Sequence, residues 1–495
     1  MDDLTQKLGD AVDVLEAIVA DRGLLAQVDP ELRTRLMIAA GMASRPSRTE
    51  QRVFRRAELR ERKAKQRKAD EKVLDALTIR RKRAQPVFAT PSRDAPRELA
   101  AEAGDFEQPE LESARNCYVC KVKFTRVHHF YDKLCCDCAE LNLERRHQTA
   151  DLSGRTALIT GARVKIGYQA AIKLLRAGAR VLVTTRFPHD AARRYAAEDD
   201  FEAWGHRLAI HGLDLRHTPS VQQFCRELLD QETRLDFIIN NACQTVRRPA
   251  GFYAHLMDAE RQPEQLTAAA RSVVSRVETL PAPLTAGLDS GMGAQTGGAA
   301  ELSQVPLLPE DLDTSVRLFP TGALDADEQQ VDFRKVNSWR LLLDEVSAVE
   351  LLEVHLVNAV APFVLNGQLK SLMTRTPERD KHIVNVSAVE GQFYRTFKTP
   401  RHPHTNMAKA GLNMLTRTSA PDYVRDGIHM NSVDTGWVTD EDPAEIADRK
   451  REEGFHPPLD IVDGAARIVD PIFQGQITGE HAWGRFLKDY KPTDW

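Results

Sequence analysis

The sequence predicts an α/β protein built on a doubly wound parallel sheet, and three consecutive stretches carry that prediction. Thr156-Ala-Leu-Ile-Thr160 is a short apolar run rich in β-formers that turns over at Gly161. The next stretch, to Gly178, places Ile166, Ala170, Leu174 and Leu175 at helical spacing, and Arg180-Val-Leu-Val-Thr-Thr185 is a second apolar run. Strand, tight turn, helix and strand read as one βαβ crossover, with the helix N-terminus aimed where an anion would sit. A dinucleotide phosphate is the ligand this geometry suits.

Length and composition set the frame around that unit. At 495 residues the chain exceeds one ordinary core, so two or three domains are expected. Apolar residues make up 42%, enough for globular folding, and a net charge of -4 argues against a wholly nucleic-acid-binding protein. No apolar run approaches the length of a bilayer span, and Met1-Asp-Asp-Leu-Thr5 lacks the basic and apolar regions of a signal peptide. A cytoplasmic protein with no membrane partner is therefore expected.

The first region, 1–85, reads as helical. Leu8, Val12, Leu15, Ile18 and Val19 share one face before a break at Arg22-Gly23, and Asp29-Pro30 opens a second helix. Its second half is basic by roughly ten charges between Arg45 and Arg83 and reads as a solvated helix. A protein partner or a polyanion would both match that charge, but no aromatic residues are interleaved to stack on bases. Residues 86–112 read as a linker.

Residues 113–148 read as a zinc-ribbon-like module. Cys117-Tyr-Val-Cys120 and Cys135-Cys-Asp-Cys138 are two Cys-x-x-Cys knuckles, and four of the seven cysteines so close together favour a metal over disulfides or a redox dithiol. Cys117, Cys120, Cys135 and Cys138 can close a tetrahedron around a structural zinc, leaving no position for catalytic water. Cys136 is a bystander, and His128 or His129 is an alternative ligand.

Beyond residue 151 the chain resembles the short-chain dehydrogenase/reductase family, whose landmarks appear in order. Thr160-Gly161, Arg163, Lys165 and Ile166-Gly167 match its nucleotide loop, Asp214-Leu215 its adenine pocket, Asn240-Asn241-Ala242-Cys243 its Asn-Asn-Ala-Gly, Asn358 its helix asparagine and Lys409 its active-site lysine. The resemblance implies a Rossmann domain over 151–495. Thr439 lies in the loop that touches the nicotinamide amide in that family, or caps a helix at Asp440 to Ala447. Where an NAD site would place a carboxylate, this chain has Thr185-Arg186, so NADP(H) is expected, with NAD(H) the alternative. Lys165 stands where the family usually has a glycine. The family's dimers and tetramers leave a homo-oligomer open.

The resemblance also exposes departures. The family's proton-donating tyrosine would lie four residues before Lys409, where Thr405 stands, and its serine aligns with Ala388, one residue after Ser387. A threonine hydroxyl is far less acidic than a phenol and too short to replace it. His402, seven residues before Lys409, is a substitute proton donor by the spacing of the family's enoyl reductases, with Tyr394 and His404 as further candidates. An insertion at about 249–347, roughly eighty to ninety residues, is far longer than an ordinary connection. Its middle, Pro281 to Gly298, reads as mobile, and its ordered flanks would cover the substrate side of the sheet or form a partner surface. A helix is expected to resume at Asn337, and a strand over Glu480–Phe486. Two functional readings follow: an oxidoreductase acting on a small molecule with a carbonyl or activated double bond, through Asn358, Ser387, His402, Thr405 and Lys409; or a nucleotide-binding pseudo-dehydrogenase acting as sensor or scaffold.

Overall fold

The computed structural model describes residues 2–95, 108–275, 298–395 and 398–495; most of the stretch expected to be mobile lies outside the described residues. It divides into two units, Met1–Lys72 and Val73–Trp495. The first is helical: α1 (Asp2–Ala20), a 3-10 turn (Arg22–Gln27), α2 (Pro30–Ser44) and most of α3 (Arg48–Asp75). Side-chain caps make the breaks. Asp21 accepts from Gly23 N at 2.7 Å, and Asp29 accepts from Glu31 N and Leu32 N at 3.0 Å.

The second unit begins earlier than the boundary at residue 85 that the charge pattern predicts. Leu74 and Leu77 are fully buried with Leu111 and Val127 beneath an antiparallel hairpin, β1 (Glu110–Asn116) and β2 (Lys123–Arg126). The described part of the expected linker is not loose either. Phe88 N donates to Ala326 O at 2.7 Å and Arg176 Nη1 donates to Pro91 O at 2.8 Å. The cysteine knuckles and α4 (Cys136–His147) share one core with Leu459, Ile461 and Val462, so the expected module is part of this unit.

The main sheet has the order β10-β9-β8-β7-β6-β3-β4-β5 and is parallel except for β10. Its strands are β3 (Thr156–Thr160), β4 (Arg180–Thr185), β5 (Leu208–Gly212), β6 (Phe237–Asn240), β7 (Lys381–Ser387), β8 (Ile428–Asp434), β9 (Phe486–Lys488) and β10 (Lys491–Thr493). Helices α5 (Lys165–Arg176) and α6 (Pro188–Ala196) cover one face; α7 (Thr218–Gln231) covers the other. Every residue of β3 is buried, as its apolar run requires of a central parallel strand.

The insertion contributes α8 (Ala250–Arg261). The chain then runs through α9 (Ala348–His355), a π-turn (Leu356–Val360) and α10 (Ala361–Met373), which joins α7, and on to α11 (Pro403–Tyr423), α12 (Ala444–Glu452) and α13 (Ile461–Thr478), the last packing with α5. Three expectations are corrected here. The helix after the insertion starts at Ala348, not Asn337, because Ser347 supplies the cap, accepting from Glu350 N at 3.1 Å. The final strand begins only at Phe486, since Gly479 and Gly484 take left-handed φ of 73° and 63° and turn the chain twice before it. Ala348–Met373 is, among the described residues, long and apolar enough by composition to cross a membrane, although Leu365, Leu369 and Leu372 are fully buried beneath the sheet.

Candidate active site

A cleft of about 480 Å³ opens over the carboxyl ends of β3, β4, β6 and β7, at the point where strand order reverses between β3 and β6. Gly161 ends β3 with φ 67°, and a Cβ there would meet the Ala242 backbone at 2.8 Å. Asn241 Nδ2 ties the turn together by donating to Thr160 O at 3.1 Å and Gly161 O at 3.0 Å. At Gly167 a side chain would collide with Asn241. These contacts bring the first turn of α5, whose N-cap Val164 offers no side-chain acceptor, to the cleft floor.

Gly161, Arg163, Lys165, Ile166, Gly167, Arg186, Asp214, Leu215, Asn241, Ala242, Lys409 and Thr439 all lie on the walls of this one cleft. Lys165 takes a left-handed φ of 57°, which explains why the resemblance places glycine there. Burial acts to lower the Lys165 pKa, but the carboxylates of Glu441, Asp327 and Asp325 raise it above the usual lysine range. The last two belong to the insertion.

The insertion forms the wall at the β4 end. Arg186 Nη2 donates to Tyr253 Oη at 2.6 Å and its guanidinium lies 4.5 Å from that ring. Burial alone would raise the Tyr253 pKa, yet the Arg186, Arg248 and Arg163 charges hold it below the usual tyrosine range. Arg163 donates to Asp190 at 2.5 Å and to Gln329, and Arg248 donates to Asp332. Asp214 is held by Arg216, whose Nη2 is 2.7 Å away. Arg186 is thus the cation on this wall that makes no ion pair among the described residues, although its charge, after that of Arg216, helps hold Asp214 below the usual carboxylate range. Tyr253, Arg248 and Gln329 escaped the sequence reading because only the fold brings the insertion to β4.

At the β7 end the candidates part company. Lys409 Nζ donates to Val386 O at 2.7 Å, and Ser387, whose buried hydroxyl has no partner, lines the cleft beside it. Asn358 sits in the π-turn and holds Gln244 at both backbone groups, accepting from its N at 2.8 Å and donating to its O at 3.1 Å. Thr405 and His402 are not brought to the cleft wall. The Thr405 hydroxyl is buried without a partner, and the His402 ring stacks on Trp339 at 3.9 Å, pushed down to about 4 by burial and then by His404. Tyr394 Oη meets Thr493 Oγ1 at 3.1 Å, and His404 lies 3.4 Å from Glu350. Thr439 Oγ1 donates to Glu441 at 2.8 Å; it does not cap α12, which starts at Ala444.

Beside the β7 end stand the cysteine knuckles. The sulfurs of Cys117, Cys120, Cys135 and Cys138 all lie within 4.8 Å of one another, a spacing that four thiolates around one metal ion require. The Cys120 thiol is lowered to about 7, first by the Val122 backbone N–H, whereas burial and its cysteine neighbours push Cys138 up. Four such thiols do not ionise together without a cation. Cys136 Sγ is turned to Arg126 O at 3.8 Å, and His128 lies against Glu140 at 3.3 Å and accepts from Phe130 N at 3.1 Å, so neither joins the group. Tyr118, between the first two cysteines, accepts from Trp437 N at 2.9 Å. Below it, Arg146 holds Asp460 at 2.7 Å and Asp463 at 2.8 Å, both buried, and Tyr131 Oη donates to Asp463 at 2.6 Å.

Comparison with known proteins agrees with this geometry. Residues 155–273 match the family model described as short chain dehydrogenase, and residues 340–456 the one described as Enoyl-(Acyl carrier protein) reductase. Protein R665 of Acanthamoeba polyphaga mimivirus is 32% identical over 372 residues, 73% of this chain and 72% of that protein. The chain belongs to the short-chain dehydrogenase/reductase family. It is also 38% identical to mouse retinol dehydrogenase 14, over 20% of this chain and 34% of that enzyme's length. A solved short-chain dehydrogenase/reductase from Burkholderia multivorans with bound NADP is similar at 17% identity, covering 69% of this chain and 99% of that chain, with a TM-score of 0.40. The first matched segment runs into the expected insertion as far as residue 273 and the second begins at residue 340.

Proposed function

We propose that the chain is an NADP(H)-dependent oxidoreductase, acting on a carbonyl or, better suited to its residues, an activated double bond. The observation that carries this reading is Arg186: a guanidinium at the end of β4, on a cleft wall, with a phenol and no carboxylate as its described partner. A 2′-phosphate would complete that charge, and the first-turn amides of α5 with Lys165 would hold the diphosphate. Asp214 and Leu215 would hold adenine, and Thr439 the carboxamide.

When bound, the coenzyme would supply a hydride at its nicotinamide ring. Lys409 would hold the adjoining ribose while its bond to Val386 O fixes its position. Ser387, with a free hydroxyl proton, would donate to the substrate oxygen as charge develops there. No phenol stands beside it, so full proton transfer to that oxygen is poorly served. An enone or enoyl acceptor asks for less, because its oxygen needs hydrogen bonds and its carbon can take a proton from water. The four cysteines would hold a structural zinc.

The buried Thr405 hydroxyl favours a second reading, a coenzyme-binding pseudo-dehydrogenase. Titration with NADPH and NADH, followed by a panel of enones and carbonyls with Lys409→Ala as control, separates the two. NADPH binding at least about tenfold tighter than NADH, with Lys409-dependent turnover, is expected. Tight binding with no turnover selects the pseudo-dehydrogenase, and no binding of either coenzyme removes both readings.

A further inference from the structure

From Asp3 to Ala69 no residue is fully buried, although this stretch contains the amphipathic helix α1. On α1 the side chains of Leu4, Leu8, Val12 and Val19 are each more than half exposed, while Leu15 and Ile18 are half-buried. Ordering a helix while leaving its apolar stripe in water gains almost nothing against the conformational entropy lost. The stripe therefore calls for an occupant, and its pattern says which.

Thr5, Leu8, Val12, Leu15 and Val19 recur at intervals of three and four along α1. In heptad terms they put a β-branched residue at every a position, Thr5, Val12 and Val19, and leucine at both d positions, Leu8 and Leu15. That choice favours two parallel strands. The flanking positions agree. At g stand Leu4, Ala11 and Ile18, and at e stand Gly9 and Glu16, so no g residue of one helix meets a like charge at e of its mate. The carboxylates of Asp3, Asp10 and Asp13 fall at b and f, away from the seam. The same acids repel an anionic lipid surface, which excludes a membrane as the natural occupant.

We propose that α1 is a dimerisation helix, pairing in parallel with α1 of a second copy of this chain through Thr5, Leu8, Val12, Leu15 and Val19. The seam spans fewer than three heptads, so the pair is reversible and dissociates on dilution. The seam shares no residue with the coenzyme cleft, and the inference does not rest on the proposed activity.

Light scattering on the full chain tests it, comparing the wild type with the triple variant Leu8→Glu, Val12→Glu, Leu15→Glu. Glutamate is a good helix former, so circular dichroism should show the helical content kept outside α1. The wild type is expected to have twice the mass of the triple variant at high concentration and to approach it on dilution. Equal masses for the two, or a ratio other than two, overturn the proposal. Independently of folding in that variant, Val19→Cys places two sulfurs at facing a positions only in the parallel pair and should give a covalent dimer under mild oxidation beyond the wild-type background. No gain over that background overturns the parallel register.

Discussion

The two ends of the cleft are closed by different additions to the same fold, and the additions use different physics. At the β4 end the insertion closes the wall with charge: Asp332 on Arg248, Asp325 and Asp327 toward Lys165, and Tyr253 on Arg186. At the β7 end the cysteine knuckles brace the loop after β8 through apolar contact and one phenol, with Val438 and Leu459 in the same core as Cys117 and Phe130. A charged wall discriminates among ligands by charge, whereas a wall pinned by a packed core built around four thiols sets position. In the proposed function the first end would select the coenzyme and the second would place its reacting ring.

Removing the metal should produce the largest effect. If the four thiols hold the proposed zinc, chelation, or Cys135→Ser with Cys138→Ser, would take away a centre worth about 10 kcal/mol or more in small zinc modules and would free Tyr118 from Trp437. NADPH affinity is expected to fall by at least about 100-fold, while adenosine 2′,5′-bisphosphate, which fills only the β4 end, still binds. Calorimetry with the two ligands checks this. Loss of both would make the cleft one cooperative body and break the contrast between its ends.

Arg186→Glu tests the other wall. Reversing a charge with no carboxylate partner should weaken NADPH and the bisphosphate alike by about 100-fold, roughly 2.7 kcal/mol, and leave NADH within a few-fold. Equal weakening of NADH would assign Arg186 a structural role. A smaller effect is expected from Tyr118→Phe, which removes one accepted hydrogen bond worth about 1 kcal/mol and keeps the ring. NADPH binding should weaken about fivefold, with unchanged metal content and no change for the bisphosphate.

How much of this was legible in the sequence follows the same division. The strand–turn–helix unit, the cysteine spacing and the residues of the nucleotide loop are local patterns, and a local pattern survives translation into structure. The twelve coenzyme residues expected from family landmarks reach one cleft because parallel strands bring their carboxyl ends to one edge. Tyr253 and Tyr118 were invisible because their partners lie far away in sequence, on β4 and after β8. His402 shows the opposite failure. Its spacing from Lys409 is suggestive, but a left-handed φ of 43° at the N-cap of α11 turns it onto Trp339 instead.

The smallest effect at neutral pH, and the one that shows how the β4 side is supported from below, concerns His211. It lies on β5, the edge strand beneath that end, buried against Phe224 at 5.2 Å with neither ring nitrogen bonded. Burial, then Arg180, lowers it from 6.5 to about 4. The ring is neutral in the folded chain while the unfolded chain takes a proton below about pH 6.5, so the unfolded state binds more protons between the two values. Its contribution is complete above pH 6.5 and is lost as pH falls toward 4, by at most about 3 kcal/mol. His211→Leu should therefore leave stability near pH 7 within about 1 kcal/mol and flatten its decline between pH 6.5 and 4 in denaturant unfolding. An unaltered decline would place the acid sensitivity elsewhere, with His382, lowered further still by burial on β7, the next residue to replace.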